Sequence, residues 1–269
     1  AVVDWKNTSN FVSIDQPPLV AIFTHHLMDG EKAGRDDFQY QSIAYSNDKG
    51  RTWTKYEGNP VIPNPSIRDF RDPKVIWHEE SERWVMDFAA NDREKIYSSH
   101  NLKDWQFESD FGVDYGARAL WECPELFPIT VEETGEEKWI MIVSVQSNAP
   151  NGGSGTQYFV GDFDGKTFTS DYPQERVFWL DWGKDNYAGV TFSDIPEEDG
   201  RRILIGWMSN WQYAQEVPTI EWRSAMTLPR TLELKSINGG LTLCSAPVKE
   251  LAELRTKTTE IASAETTFA

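Results

Sequence analysis

The sequence predicts an all-β fold built from repeated sheets, and three observations predict it. Helical periodicity is nearly absent from the 269 residues until the C-terminal stretch. What recurs instead is short β-rich runs broken by Gly, Asn, Asp and Pro turns. A hairpin motif also returns after about fifty residues, as it does when each unit supplies the strands of one β-propeller blade.

Taken in order, Ala1-Val2-Val3-Asp4-Trp5 already reads as strand, without an initiator Met. The expectation is therefore that the chain begins inside a longer protein. Pro18–Phe23, Arg83–Phe88, Lys138–Val143 and Arg202–Trp207 are apolar runs of strand length, each expected to be largely buried. Ser46-Asn47-Asp48-Lys49-Gly50-Arg51-Thr52-Trp53 closes a hairpin and ends on Trp, and Ser98–Trp105 does the same one repeat later. Gly161–Phe168 is a third, looser copy. The first copy fits the S-x-D-x-G-x-x-W pattern called an Asp box, read here as turn architecture at a propeller rim and assigned no chemistry. An irregular β-sandwich with chance Asp-Gly turns is the rival fold. After about residue 236 the character changes: Pro247–Leu254 has apolar residues at helical spacing, and a Thr/Ala/Glu-rich tail follows. The expected division is a partial propeller over 1–236, then over 237–269 a linker with a short helix and the first residues of another domain.

Charge narrows the partners. With 43 acidic and 26 basic side chains the net charge is −17, which repels nucleic acid and anionic membrane surfaces but not a neutral substrate. No run of 18 apolar residues occurs, so no membrane-spanning helix is predicted. The two cysteines, Cys123 and Cys244, have no zinc-ligand spacing; they are either free buried thiols or a single disulfide. His25 and His26 are adjacent strand residues pointing to opposite faces, which chelate poorly together, so no metal and no cofactor are expected. Asn7-Thr8-Ser9 matches a glycosylation sequon by pattern. Asn151-Gly152-Gly153-Ser154-Gly155 reads as a flexible hairpin loop, and such a loop could rim a pocket.

Two segments carry the chemistry. Arg68–Trp77 contains Arg71-Asp72-Pro73, and Trp121–Phe127 contains Glu122-Cys123-Pro124. Each places a carboxylate, then a proline, then an apolar strand, one repeat apart. In a propeller the innermost strands converge on one funnel, so Asp72 and Glu122 would meet there. Paired carboxylates are what glycosidic bond cleavage requires, one protonated to assist the leaving oxygen and the other ionised. Arg71 beside Asp72 is expected to keep it ionised. Trp121, Cys123 and Pro124 around Glu122 are expected to raise its pKa toward that of a general acid. The rival reading makes Arg71 and Asp72 a strand cap and Glu122 a solvated edge residue, and these residues alone leave both open.

Arg-Asp-Pro, then Trp-Glu-Cys-Pro-Glu-Leu, then Asp181–Ala188 (DWGKDNYA), then Gly206–Trp211 (GWMSNW), in this order and with Ala1–Asp4 ahead of them, resemble glycoside hydrolase family 32 from Ala1 to about Leu254. That family comprises invertases, levanases and inulinases. The resemblance implies a five-bladed propeller followed by a β-sandwich, acting on sucrose, levan or inulin, usually outside the cell. It implies that Asp72 is the transition-state stabiliser and Glu122 the general acid/base. Arg71 would bind fructosyl hydroxyls, Asp181 would line the pocket, and Trp207, ahead of Trp211, would present an indole to the sugar. Cys123 would pack beside Glu122 and help to set its pKa.

One feature departs from the pattern. The family nucleophile is the Asp of an Asn-Asp-Pro motif in the first blade, and no such motif occurs: Asn47-Asp48 belongs to a turn and Asn91-Asp92 lacks the Pro. The chain therefore resembles blades two to five, and alone it is expected to be inactive with one edge of the ring open. Two rival functions follow. A sugar-binding propeller without a nucleophile would keep Arg71, Asp72 and the Trp residues. A sialidase-like propeller is suggested by the Asp box, but it needs an arginine cluster that is not evident and an anionic substrate that the −17 charge suits poorly.

Overall fold

The computed structural model describes residues 1–12, 16–112 and 114–259. Four antiparallel sheets follow one another along the chain, each a simple meander. The first holds β1 (Val2–Val3), β2 (Leu19–His26), β3 (Gln39–Ser46) and β4 (Thr54–Lys55). The second holds β5 (Phe70–His78), β6 (Arg83–Ala90), β7 (Glu94–Ser99) and β8 (Gln106–Phe111). The third holds β9 (Trp121–Thr130), β10 (Glu137–Val145), β11 (Gly155–Phe163) and β12 (Phe168–Ser170), with β13 (Phe178–Trp179) also pairing to β11. The fourth holds β14 (Tyr187–Thr191), β15 (Arg202–Trp207), β16 (Arg230–Ile237) and β17 (Gly240–Pro247).

The apolar runs are continuous because sheets pack on both of their faces. On β10, Met141, Val143 and Val145 join Val85 and Ile96 of the second sheet and Trp121 in one core. Ile140 and Ile142 face the other way, against Leu204, Leu232 and Leu234 of the fourth sheet. A third core, of Val20 and Ile43 with Phe70, Met86 and Phe88, joins the first sheet to the second. Each fully buried aliphatic or Phe side chain contributes roughly 1.5–3 kcal/mol. These cores hold β2, β5, β9 and β14, one strand from each sheet, side by side.

The repeated turns have the architecture expected of them. Asp48 accepts the Thr52 N–H and hydroxyl at 2.8 and 2.7 Å, and the Trp53 indole N–H donates to the Gly50 carbonyl at 3.0 Å. Those Thr52 bonds, with the Ser46 hydroxyl, hold the Asp48 carboxyl down at about 2. Asn101 takes the same place in the second copy, accepting the Lys103 and Asp104 N–H groups while the Trp105 indole donates to Leu102. Asp4 is likewise structural: it is buried and accepts the N–H and hydroxyl of both Thr8 and Ser9.

Several details differ from expectation. A five-residue helix, α1 (Met28–Lys32), interrupts the first sheet; one turn is too short to show periodicity in sequence. The change of character at 236/237 falls inside the β16–β17 hairpin, whose register runs from Arg230↔Pro247 to Ile237↔Gly240. The turn there is Asn238-Gly239, both at positive φ, the Asn-Gly pair that favours a two-residue hairpin turn. The helical spacing after Pro247 becomes a 3₁₀ helix, Lys249–Leu254, and the tail from 260 lies outside the described residues. Cys123 and Cys244 are both free. His25 bonds Ser42, whereas His26 bonds Glu31.

Candidate active site

Three inner strands share one irregularity. The register of β5 against β6 shifts between Arg71 and Lys74, and Asp72 has φ 65°. The register of β9 against β10 shifts opposite Cys123, which has φ 48°. That of β14 against β15 shifts after Tyr187, and Ala188 has φ 51°. A bulge re-aims side chains locally, and left-handed backbone at a non-glycine residue costs of order 1–3 kcal/mol, which surrounding contacts must offset. Here the offset is visible. Each bulge residue donates its N–H to a side chain of the preceding sheet: Asp72 to Thr24 Oγ1 at 3.2 Å, Cys123 to Asp72 Oδ2 at 3.0 Å, and Ala188 to Ser144 Oγ at 3.0 Å. The bulges thus lock sheet to sheet at one level of the axis.

At that level Glu122 is held on both oxygens. Arg71 donates to Oε1 from Nη2 at 2.9 Å and from Nε at 3.2 Å. Gln146 Nε2 donates to Oε2 at 3.0 Å, and Tyr187 Oη lies 2.5 Å from the same atom. Asp69 anchors the far side of the Arg71 guanidinium at 2.5 Å. Burial first, and the Glu122 charge second, push the Tyr187 hydroxyl up, so it remains a donor.

The site corrects two expectations. Glu122 does not sit in an apolar niche: adjacent strand residues point to opposite faces, so the Trp121 indole enters the core between the second and third sheets, leaving Glu122 among Arg71, Gln146 and Tyr187. Nor, among the described residues, does Arg71 hydrogen-bond Asp72, although its charge favours the ionised carboxylate. Its hydrogen bonds go to Glu122, Asp69 and Gln39. Burial raises the Asp72 carboxyl above its ordinary value, against the Cys123 N–H and the Arg71 charge, which pull it down. Cys123 touches Asp72 rather than Glu122, with Sγ 3.7 Å from Oδ2. Burial first, and then Asp72, push its thiol well up, leaving it protonated and inert.

The aromatic pair reaches the site through Tyr187. Trp207 and Trp211 pack edge to face with centroids 5.1 Å apart, and lie 6.2 and 6.4 Å from the Tyr187 ring. Trp211 is 42% exposed and so offers an open indole. Asp181 is placed differently. It forms an ion pair with Arg230 and accepts the Gly183 N–H and the Asn186 amide, and none of its hydrogen bonds among the described residues reaches Arg71, Asp72 or Glu122.

Tyr187, Gln146, Asp69 and Thr24 escaped the sequence reading. No local pattern pointed to them, although Tyr187 precedes the bulge of β14 as Glu122 precedes that of β9. The second acid of the WECPEL stretch, Glu125, is structural: it is 1% exposed, pairs with Lys74 at 2.8 Å, and accepts the Thr191 N–H and hydroxyl at 2.7 and 2.6 Å.

The arrangement meets independent support from known proteins. The sequence model for the Glycosyl hydrolases family 32 N-terminal domain matches residues 3–247. The chain belongs to that family. Among family relatives, a levanase of Bacillus subtilis (strain 168) is 54% identical over 257 residues, covering 95% of this chain and 37% of the relative. The extracellular exo-inulinase inuE of Aspergillus niger (strain ATCC MYA-4892 / CBS 513.88 / FGSC A1513) is 43% identical over 279 residues, covering 96% of this chain and 51% of the relative. The crystal structure of exo-inulinase from Aspergillus awamori superposes with a TM-score of 0.80 at 40% identity, covering 91% of this chain and 51% of that one. A β-fructofuranosidase from Schwanniomyces occidentalis, complexed with fructosyl-erythritol, gives 0.81 at 41% identity, covering 92% and 47%. This family 32 chain thus spans about half, or less, of the length of these relatives.

Proposed function

We propose that this chain is the acid/base and stabiliser portion of a retaining β-fructofuranosidase that releases terminal fructosyl units from sucrose, levan or inulin. The observation that carries the reading is Glu122 gripped by Arg71, Gln146 and Tyr187, with Asp72 one sheet away and bonded to the residue next to Glu122. Glu122 protonates the departing oxygen and later deprotonates the attacking water. Asp72 holds fructosyl hydroxyls and stabilises positive charge on the ring as the bond breaks. Its bond to the Cys123 N–H fixes it relative to Glu122, so the two carboxyls keep their spacing through both steps. Arg71 positions Glu122 and reaches sugar hydroxyls; Trp207 and Trp211 supply apolar faces, and Asp181 borders the pocket.

The covalent step needs a carboxylate nucleophile. Because no Asn-Asp-Pro occurs in the sequence, we place it in a segment outside this chain. The four sheets then correspond to blades two to five of a five-bladed propeller, and the residues after β17 lead toward a β-sandwich. The extracellular description of inulinase relatives supports secretion. The missing motif also favours a second reading, a carbohydrate-binding propeller that has lost the nucleophile.

The test compares fructose release from sucrose, levan and inulin by the 269-residue chain and by the complete protein encoded around it. Release by the complete protein alone supports the fructosidase; release by the chain alone refutes an outside nucleophile. Fructan binding without release by the complete protein favours the binding reading.

A further inference from the structure

The hairpin loop that contains Asn151–Gly155 borders the site through both of its ends. It leaves β10 at Gln146, whose amide holds Glu122 Oε2, and returns at Ser154, whose hydroxyl accepts the Trp211 N–H at 3.0 Å. Trp211 in turn packs on Tyr187, the second donor to Oε2. Loop, Trp211, Tyr187 and Glu122 therefore form a closed ring of contacts on the Oε2 side. Arg71 lies on the Oε1 side.

One buried side chain is the main fastening of that ring. Asn210 is 0% exposed and joins three loops. Its Oδ1 accepts the Ser154 and Gln212 N–H groups at 3.1 and 2.9 Å. Its Nδ2 donates to the Gly152, Ser154 and Lys184 carbonyls at 3.3, 3.0 and 2.8 Å. Gly153 has φ +73°, and any side chain there would collide with Asn210 Oδ1. Lys184 adds a second fastening, donating to the Asn151 and Gly152 carbonyls at 2.6 and 3.1 Å. A fully satisfied buried amide of this kind fixes geometry that an apolar contact would leave loose.

We propose that Asn210 is the positioning residue for the leaving-group side of the site, holding Trp211 and the 147–154 loop so that the site favours a leaving group that is itself a sugar chain. This rests on the fructosidase reading above: Glu122 must reach the leaving oxygen, and with Arg71 on the fructosyl side at Oε1, the Oε2 wall faces what departs.

The test uses the complete protein, with Asn210→Ala and the milder Ser154→Ala. The measured quantity is the ratio of kcat/KM for a fructan oligosaccharide to kcat/KM for methyl β-fructofuranoside, which does not depend on how much protein is folded. Asn210→Ala should lower the ratio roughly tenfold, mainly through KM of the oligosaccharide, and Ser154→Ala roughly threefold. An unchanged ratio in both, whatever the total activity, overturns the proposal. Acrylamide quenching of the fluorescence that Trp211→Phe removes gives a readout independent of turnover. It should rise in both variants; if it does not, Asn210 does not position Trp211. Should the parent protein cleave neither substrate, the fructosidase reading fails, and quenching alone decides the positioning claim.

Discussion

Replacing Glu125 by Ala should unfold the protein far more readily while leaving the chemistry of Glu122 unprobed, and the size of the loss follows from its contacts. Glu125 is buried on β9, pairs with Lys74 of β5 at 2.8 Å and receives two hydrogen bonds from Thr191 of β14. It therefore ties three sheets together at the axis. Its removal strands the Lys74 ammonium, whose side chain is 20% exposed, and leaves the buried Thr191 N–H without its acceptor. Breaking one partner of such a pair costs about 3–5 kcal/mol. Lys74 keeps a contact to the Thr191 carbonyl at 3.2 Å and faces Asp87 in register, so about 3 kcal/mol is expected. That is a large share of the ~5–15 kcal/mol by which domains are stable. Lys74→Met combined with Glu125→Leu removes both charges and should recover all but about 1 kcal/mol. Urea unfolding followed by indole fluorescence measures both. A loss under ~1 kcal/mol for Glu125→Ala, or a double variant no better than the single one, refutes the staple.

Two further outcomes are expected. Tyr187→Phe removes one charge-assisted hydrogen bond from Glu122 and should lower kcat/KM for fructose release by about tenfold or more; an unchanged value means that Gln146 and Arg71 suffice. Asp87 and Glu94 are fully buried, and among the described residues none of their carboxylate oxygens has a hydrogen-bond partner. Burial, and then the Glu125 charge, raise the Asp87 carboxyl to about 8, and burial raises Glu94 strongly as well. A raised carboxyl binds its proton more tightly in the folded state, so its contribution is full in acid and fades as pH climbs from its ordinary 3.8 through about 8. The urea midpoint should fall across that window, and Asp87→Asn should flatten the fall; a flat midpoint in the parent protein contradicts the assignment.

The strands were legible because burial on both faces leaves unbroken apolar runs, as in Ile140–Val143, and the turn boxes because their Asp, Gly and Trp have fixed jobs. Asp72 and Glu122 were legible as a pair because the same carboxylate-then-proline pattern opens two successive repeats. Their surroundings were not. A bulge shifts the strand by one residue, and a one-residue shift exchanges faces. Reading neighbours along the chain therefore gave Glu122 an apolar setting and gave Arg71 to Asp72, whereas the bulges at Asp72 and Cys123 send Arg71 to Glu122 and Asp72 to the Cys123 N–H. Tyr187 and Gln146 come from the next sheet and the next strand, 65 and 24 residues away, and no local pattern announces them. The hairpin at Asn238-Gly239 was readable from its dipeptide, but the polar residues around it resembled a linker.

The most direct test of the central claim is fructose release from levan by the complete protein and by its Glu122→Gln variant, which keeps the size and hydrogen-bonding shape of the side chain. Loss of the acid/base should lower kcat by about 10²–10⁴ with the urea midpoint little changed. A variant that turns over within about threefold of the parent would contradict the assignment of Glu122 as the acid/base, and with it the mechanism.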